Sequence, residues 1–543
     1  MVSRIACVGG GPGGLFFATL IKQALPSVEI TVFERNRPDD VFGFGVVFSD
    51  ATLANLHQAD PVLREALAGH GRHWDPIEVR LKGERITCGG NGMAAIHRRT
   101  LLTLMRARAS EVGVDLRFGT EIAGAEELSG YDLIVAADGA NSRFRESLAH
   151  TLRPQVDVAK AKFIWFGTDY MFDGLTFVHQ RGPHGVFAVH GYPISADVST
   201  FIVETDERTW RAAGLDEFDA GGPPGPSDEK SRRYLEDLFA EQIDGRRLLV
   251  NNSRWANFRT RRAHRWHSGN VVLLGDAVHT AHFSVGSGTK MAMEDAVALA
   301  GSLTEHPRDL EAALTAYEAA RMPPVEKIQN SARPSLAWWE HFGRYHDAFD
   351  PLQFAFHFLS RSIGKARLAR RDPEFVADVE RAWREHHGAA PLDSSLKAGP
   401  YEFTGRRVTA EETQDGIVAA VQDGTRVPLR DAKTEAHHGL RAPLRDATAQ
   451  ALHGLRIAAP EAESDLAETF AYLSAAVKAG PPPLVAVHGG TSLTRVLLAE
   501  QARLGHGVPT LIVEDPLDDD RAETLLLSGR ADLVGSPAER QSP

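Results

Sequence analysis

Cysteine is almost missing from this chain. Cys7 and Cys88 are the only two in 543 residues, which excludes a disulfide framework and a cysteine zinc site and fits a reducing, cytoplasmic setting. Long apolar runs are missing as well. None approaches the roughly 18 residues that span a bilayer, so no membrane partner is expected. The first residues carry glycines where a signal peptide would carry its apolar stretch, and they read as a strand. Positive charge is in deficit: 60 Lys and Arg stand against 72 Asp and Glu, for a formal charge of −12. Broad nucleic-acid or anionic-membrane binding recruits basic patches, so neither is expected, and an anionic ligand must find a local basic site. No metal site is expected either.

What is present is informative from the start. Arg4-Ile-Ala-Cys-Val-Gly-Gly-Gly-Pro-Gly-Gly-Leu15 reads as a short apolar strand, a glycine turn and a helix starting at Leu15. Gly9 permits the tight turn, Gly11 lets backbone approach a pyrophosphate, and Gly14 lets the helix pack on the strand. A second strand, Glu29-Ile-Thr-Val-Phe33, ends at Glu34 with Arg35 beside it. A carboxylate there, about 20 residues past the glycines, can accept hydrogen bonds from an adenosine ribose. Acid in place of Arg at position 34 argues against a ribose 2′-phosphate in this cradle.

Further along, residues 98–111 form an amphipathic helix, followed by strands at Val114–Phe118 and Tyr131–Ala137. Between about 160 and 205 four aromatic and β-branched runs, Phe163–Phe166, Leu175–His179, Val186–His190 and Thr200–Val203, predict an antiparallel sheet. A Gly/Pro-rich loop at 221–226 punctuates it. Another buried strand, Asn270–Leu274, leads into Gly275-Asp276 and a long helix reaching about Leu303. Residues 308–390 look helical, with Trp338, Trp339, Phe342, Phe354, Phe356 and Phe358 read as a packing core. Beyond 395, Pro428–Arg441 recurs as Pro443–Arg456. Two copies are too few for a solenoid and point to a local duplication. Residues 484–528 then predict a small α/β unit.

The expected architecture is α/β: a Rossmann-like nucleotide domain (1–160 and 250–330) interleaved with an antiparallel substrate sheet (161–249). A helical segment (331–394) and a small C-terminal α/β domain (395–543) follow.

Three separated stretches carry the chemistry. Arg98 opens a helix in the pattern Arg-x-x-Leu, placed to meet a pyrophosphate. Asp138-Gly139 follows one buried strand and Gly275-Asp276 another, each setting a carboxylate at the carboxyl end of a parallel strand, where such sheets bind ligands. Together these resemble the three fingerprints of the single-component FAD-dependent aromatic hydroxylases, the para-hydroxybenzoate hydroxylase fold. The resemblance implies that Asp138 supports flavin and reduced-nicotinamide binding and that Asp276 bonds the ribityl chain. Gly286, Gly288 and Thr289 begin a helix whose free N–H groups can stabilise a reduced, anionic flavin.

Where many members carry a proline pair, this chain has His282-Phe283-Ser284. That run and Phe42–Asp50, which contains Gly45 and Val46, resemble the subgroup acting on aryl-coenzyme A thioesters, with salicylyl and anthraniloyl esters as its substrates. The likeness covers roughly residues 1–390. The tail resembles the last strands of an old-yellow-enzyme barrel but is too short for a barrel of about 250 residues. It reads as a degenerate remnant not expected to bind FMN.

The resemblance implies that NADH or NADPH reduces FAD, that dioxygen adds at flavin C4a, and that the distal oxygen attacks the ring para to a hydroxy or amino group. His282 is the candidate to contact ring or peroxide, with His179 and His190 as further candidates on the substrate sheet. Arg254, Arg259 and Arg261, in the densest basic stretch, are candidates for coenzyme A phosphates. A solvated charge face remains an alternative for them. A hydroxylase of a free small aromatic fits equally well at the flavin. A flavin halogenase lacks support because the Trp-x-Trp-x-Ile-Pro stretch is absent, and a flavin-binding scaffold would keep the glycines without oxygen reactivity. A homodimer is compatible with the sequence.

Overall fold

Ile5, Ala6, Cys7 and Val8 are buried to 6% exposure or less, so the first strand, Arg4–Val8, sits inside a sheet and not on its edge. It pairs in parallel with Glu29–Glu34 on one side and Leu133–Ala136 on the other. Val271–Leu273 and Asp115–Phe118 extend the sheet in the same sense, and only His267–Ser268 runs antiparallel at one edge. These near-continuous apolar strands are what a sheet covered on both faces requires. The computed structural model describes residues 2–40, 43–222, 225–283, 286, 288–413, 416–433 and 453–538. Most of the duplicated stretch between 428 and 456 lies outside the described residues. So do Phe42, Ser284, and two prolines of the Gly/Pro loop, Pro223 and Pro224.

The first helix spans Pro12–Ala24 with Gly11 as its N-cap. It starts three residues before the expected Leu15, because proline at the first helical position loses no hydrogen bond and already has a helical φ. The helix at Arg98–Glu111 has the expected bounds.

The second sheet runs in the order Leu248–Leu249, Pro154–Thr168, Ser199–Thr205, Gly185–Pro193, Leu175–Gly182, Ile77–Leu81, Glu84–Cys88. Ala256–Ala263 also pairs with the long strand Pro154–Thr168. All four expected strands are in it. The hairpin Ile77–Cys88 joins it too, with Ile77–Leu81 parallel to Leu175–Gly182. Register decides what each face carries. Val178, Val189, Val203 and Ile164 lie opposite one another and, with Phe187 and Phe201, pack into an apolar core. Alternation then sends Phe177, His179, Ala188, His190, Ile202, Glu204, Phe163 and Trp165 to the other face.

By its contacts the chain divides into two units, residues 1–343 and 344–543, the boundary falling inside the helix Leu310–Ala348. The second unit holds the helices Pro351–Leu359, Lys365–Arg371 and Pro373–His387 and a closed barrel. The barrel strands are Arg407–Thr413, Gly416–Gln422, Thr425–Asp431, Gly454–Ala458, Val485–His488, Thr510–Val513 and Leu533–Pro537. The tail contains the expected α/β unit, Val485–His488, Ser492–Glu500, Thr510–Val513 and Asp519–Leu527 in order, and builds it into a closed barrel. It does so in few residues because its first three strands are an antiparallel meander with no crossover helices. The barrel core is narrow, filled by Ala410, Ala420 and Ala486 among larger residues. Among the described residues no helix is long and apolar enough to cross a membrane.

Candidate active site

The carboxyl ends of Arg4–Val8, Glu29–Glu34, Leu133–Ala136 and Val271–Leu273 all lie on one edge of the parallel sheet, and each delivers one of the singled-out residues there. Gly9 has φ +116°, and a Cβ on it would lie 2.1 Å from the Ala137 carbonyl oxygen. A Cβ on Gly11 would meet nothing within 4 Å. The turn is therefore closed toward the protein and open toward the cleft.

Glu34 closes one side of this cradle. Its Oε2 accepts the Gly10 N–H at 2.8 Å, while Oε1 accepts the backbone and side-chain N–H groups of Asn36 at 2.9 and 2.7 Å. Arg35 beside it is exposed. Cys7, on the strand beneath, is no reactive thiol: burial, reinforced by the Asp138 charge, pushes it up to about 12.

Asp138 Oδ2 accepts the Arg143 N–H at 2.9 Å. Its Oδ1 is buried without a hydrogen-bond partner among the described residues, and burial raises the carboxyl above its usual range. A buried polar atom without a partner at a cleft wall is what a missing donor leaves behind. Gly139 follows with φ +83°.

Arg98 and Asp276, far apart in sequence, face each other electrostatically. Loss of hydration lowers the Arg98 guanidinium and Asp276 opposes that shift. Loss of hydration likewise raises Asp276, opposed by His279, Arg98 and Arg261. The Asp276 side chain nevertheless reaches open space, so it lines a deep cleft that solvent can enter. Gly286, with φ +61°, would place a Cβ 3.4 Å from Val47 Cγ1. This brings the loop before the helix Gly288–Glu305, which contains Thr289, against the strand Gly45–Ser49, on which Gly45 and Val46 are buried.

Two arrangements behind the cleft escaped sequence reasoning. Arg145 donates to the carbonyls of Ala277 at 2.8 Å and Ala140 at 2.9 Å, tying the second motif to the third. Below the third motif, Asp295 is fully buried. It accepts the Gly275 N–H at 3.1 Å, the Arg321 Nε–H at 2.7 Å and a hydrogen bond from His279 Nε2 at 2.7 Å. A charged residue in the apolar period of the helix Gly288–Glu305 was the available signal.

On the second sheet His179 and His190 share one face, and His282 reaches it from the loop after Asp276. His190 Nε2 lies 2.9 Å and His282 Nε2 3.8 Å from the same oxygen, Oε1 of Glu204. All three residues are at most 3% exposed. Aromatic rings wall them in: Trp339 lies 4.5 Å and Phe177 4.9 Å from His190, and Phe258 4.9 Å from His282, centroid to centroid. His179 packs among Trp338, Trp339 and Phe342 at 5.7 to 6.0 Å. Glu204, the hub, was not singled out in the sequence.

The three arginines of the basic stretch differ in exposure, Arg254 being half-buried. Arg259 is exposed, whereas Arg261 is buried and reaches Asn141 Oδ1 at 3.4 Å. Arg254 donates to the carbonyls of Pro226 at 3.0 Å and Gly222 at 2.6 Å, closing the Gly/Pro loop.

Residues 3–332 match the FAD binding domain family. The chain belongs to this family. FAD is accordingly the cofactor of this FAD-binding protein. It is 58% identical over 533 residues to a salicyloyl-CoA 5-hydroxylase of a Streptomyces species, covering 98% of this chain and 99% of that one. A 3-hydroxy-4-methyl-anthranilyl-(aryl-carrier protein) 5-monooxygenase of Streptosporangium sibiricum is 39% identical over 336 residues, covering 62% of this chain and 89% of that protein. Among solved structures, a mutant of 2-methyl-3-hydroxypyridine-5-carboxylic acid oxygenase matches at TM-score 0.52 and 20% identity over 67% of this chain and 99% of that one. At that identity the likeness speaks for the fold alone.

Proposed function

We propose that this flavoprotein monooxygenase hydroxylates the ring of an aryl-CoA thioester, salicyloyl-CoA foremost, at the carbon para to the ring hydroxyl. Reduced nicotinamide and dioxygen are its co-substrates. The observation that carries the reading is the 58% identity, over nearly both whole chains, to a salicyloyl-CoA 5-hydroxylase. The second relative is named for an anthranilyl group on an aryl-carrier protein, so an aryl group held on a carrier is common to both names.

Within the cleft we assign Gly9, Gly11 and Gly14 to the pyrophosphate turn, Glu34 to the adenosine ribose, and Arg98 to the pyrophosphate charge. Asp276 would take the ribityl hydroxyls, Asp138 Oδ1 would accept a donor that enters with ligand, and Gly286, Gly288 and Thr289 would offer backbone N–H groups to the ring. When bound, FAD supplies the redox chemistry that activates dioxygen. The protein supplies the rest. Trp339, Phe177, Phe258 and Phe283 gather around His190 and His282 and suit an aromatic ring, and the His190–Glu204–His282 face would meet that ring's polar substituent. Arg259, the exposed member of the three arginines, is assigned to the coenzyme A phosphates.

The test is turnover of FAD-loaded enzyme with NADH or NADPH and salicyloyl-CoA, anthraniloyl-CoA or free salicylate, following product and peroxide together. The reading expects hydroxylated thioester in near-stoichiometric yield on nicotinamide oxidised. Equal coupling with free salicylate would contradict it.

A further inference from the structure

The barrel unit contains a cleft that the proposed function does not use. Arg406 stands just before the strand Arg407–Thr413, Asp532 just before Leu533–Pro537, and Arg503 in the helical turn Gln501–Gly505 that leads to Thr510–Val513. The cleft thus opens where barrel strands begin. The helices Pro351–Leu359, Pro373–His387 and Asp519–Leu527 supply an apolar wall, Leu352, Val379, Leu526 and Leu527, together with the Trp383 indole. The space they enclose is about 230 Å³, many times the roughly 30 Å³ that one water takes in the liquid.

Part of this wall has a structural use. Arg406 donates to the carbonyls of Ser394 at 3.1 Å, Ser395 at 2.9 Å and Asp532 at 3.1 Å, which ties the starts of two strands together. The charge balance is not explained by that tie. Arg503 and Asp532 pair at 2.9 Å, Nε to Oδ1, and cancel. Arg406 is 3% exposed and bonds only neutral groups. The other acid on the wall, Asp350, is exposed and caps its helix by accepting the Gln353 N–H at 3.0 Å. His386 is exposed as well. One buried positive charge is left over.

Hydrogen bonding points the same way. Arg406 can only donate, so His387 Nδ1, 3.4 Å from Arg406 Nη2, accepts, and the ring proton sits on Nε2. Burial and the Arg406 charge push His387 down to about 4, which keeps the ring neutral. Among the described residues, His387 Nε2 and Arg503 Nη2 make no hydrogen bond, and Trp383 Nε1 is buried without one. Both Asp532 oxygens are taken, Oδ1 by Arg503 and Oδ2 by the Thr510 N–H at 3.0 Å. Apart from the Gln353 amide and the exposed Asp350, the polar side chains around the cleft therefore offer donors.

We propose that this cleft binds a small monoanion with an apolar body, an aryl carboxylate, whose carboxylate meets Arg503 and His387 and whose ring lies against Trp383 and the leucines. One surplus charge suits a carboxylate better than a phosphate ester, which carries nearly two. The apolar wall removes the ring from water.

The experiment uses the full-length, FAD-loaded chain with isotope-labelled tryptophan. The Trp383 indole N–H resonance, identified by its loss in Trp383→Phe, is followed through titrations with benzoate, benzyl alcohol and inorganic phosphate. Benzoate should move it saturably with a midpoint of about 1 mM or lower. Benzyl alcohol, the same ring without the charge, should act at least about tenfold more weakly, and phosphate should leave the resonance in place. Ala382→Phe puts a ring into the cleft from an exposed helix position and should weaken the benzoate response at least about tenfold. A Trp383 resonance that benzoate does not move, or moves no more than benzyl alcohol does, would overturn the proposal. An equal response to phosphate, or an unchanged benzoate response in folded Ala382→Phe, would overturn it too. The benzyl alcohol comparison needs no variant and decides the matter should Ala382→Phe not fold.

Discussion

A Cβ built on Gly14 would lie 2.2 Å from the Gly9 carbonyl oxygen and 3.1 Å from Cys7 Sγ, so the first helix rests directly on the first turn. Gly11, between them, has nothing within 4 Å of the same construction. The two glycines should fail differently. Gly14→Ala is expected to destabilise the fold by about 1–3 kcal/mol, as overpacking does, and to lower the thermal midpoint even without FAD. Gly11→Ala should leave the FAD-free midpoint unchanged and weaken FAD binding, read by quenching of flavin fluorescence.

Glu34 orients a charged acceptor with the N–H groups of Gly10 and Asn36. Glu34→Gln removes the charge and turns one acceptor into a donor. The loss should be about 1.5–3 kcal/mol, the worth of a hydrogen bond to a charged group, so FAD affinity should fall by roughly tenfold or more. An unchanged dissociation constant in fluorescence titration would remove Glu34 from the cofactor site.

Asp295 anchors the third motif through His279, Arg321 and the Gly275 N–H. Burial alone would raise its carboxyl, but His279 and Arg321 outweigh burial and hold it below the usual range. A carboxyl depressed in the folded state adds stability that is complete above the ordinary carboxylate range and is lost as pH falls below it. Asp295→Asn leaves Arg321 buried beside a neutral amide. It should cost about 3–5 kcal/mol in denaturant unfolding and lower FAD content. A neutral outcome would show that the turn at Gly275 holds itself.

In the second unit His357 and Glu500 are fully buried and 3.1 Å apart, Nε2 to Oε1. Burial, with the charge of Arg530, pushes His357 down to about 4. Burial alone would raise Glu500, but His357, Arg530 and Arg344 hold it at about 2. An unfolded imidazole binds its proton near 6.5, so between about 6.5 and 4 the unfolded state takes up more protons and stability drops on acidification. Below that window Glu500 contributes a loss of the same sign. Thermal midpoints measured from pH 8 to 4 should fall, with part of the loss belonging to His357. His357→Gln should flatten that part of the curve.

The nucleotide half was legible because its signals are local: a glycine turn after an apolar strand, an acid at the end of the next strand, and carboxylates after two more buried strands. Chain geometry alone brings strand ends to one sheet edge, so Gly9, Glu34, Asp138 and Asp276 could be placed without contacts. The second sheet was less legible. Glu204 is one of 72 acidic residues, inside an apolar strand, and its meaning depends on His190 and His282, brought beside it only by sheet register and the third-motif loop. The run Arg254–Arg262 was legible only in part. Read linearly it is a basic patch, but Arg261 is buried and Arg259 exposed although they stand two residues apart on one strand, a difference set by packing around the strand and not by its pleat. The hairpin Ile77–Cys88 was passed over although Lys82 and Gly83 both have positive φ, as its two-residue turn requires.

The central claim is that one atom of dioxygen is transferred to a ring held as a coenzyme A thioester. It is tested most directly by running the FAD-loaded enzyme under heavy-isotope dioxygen with salicyloyl-CoA and weighing the product by mass spectrometry. The account predicts a hydroxylated thioester carrying one heavy oxygen atom on the ring. Unlabelled thioester with all the isotope recovered as hydrogen peroxide would contradict it.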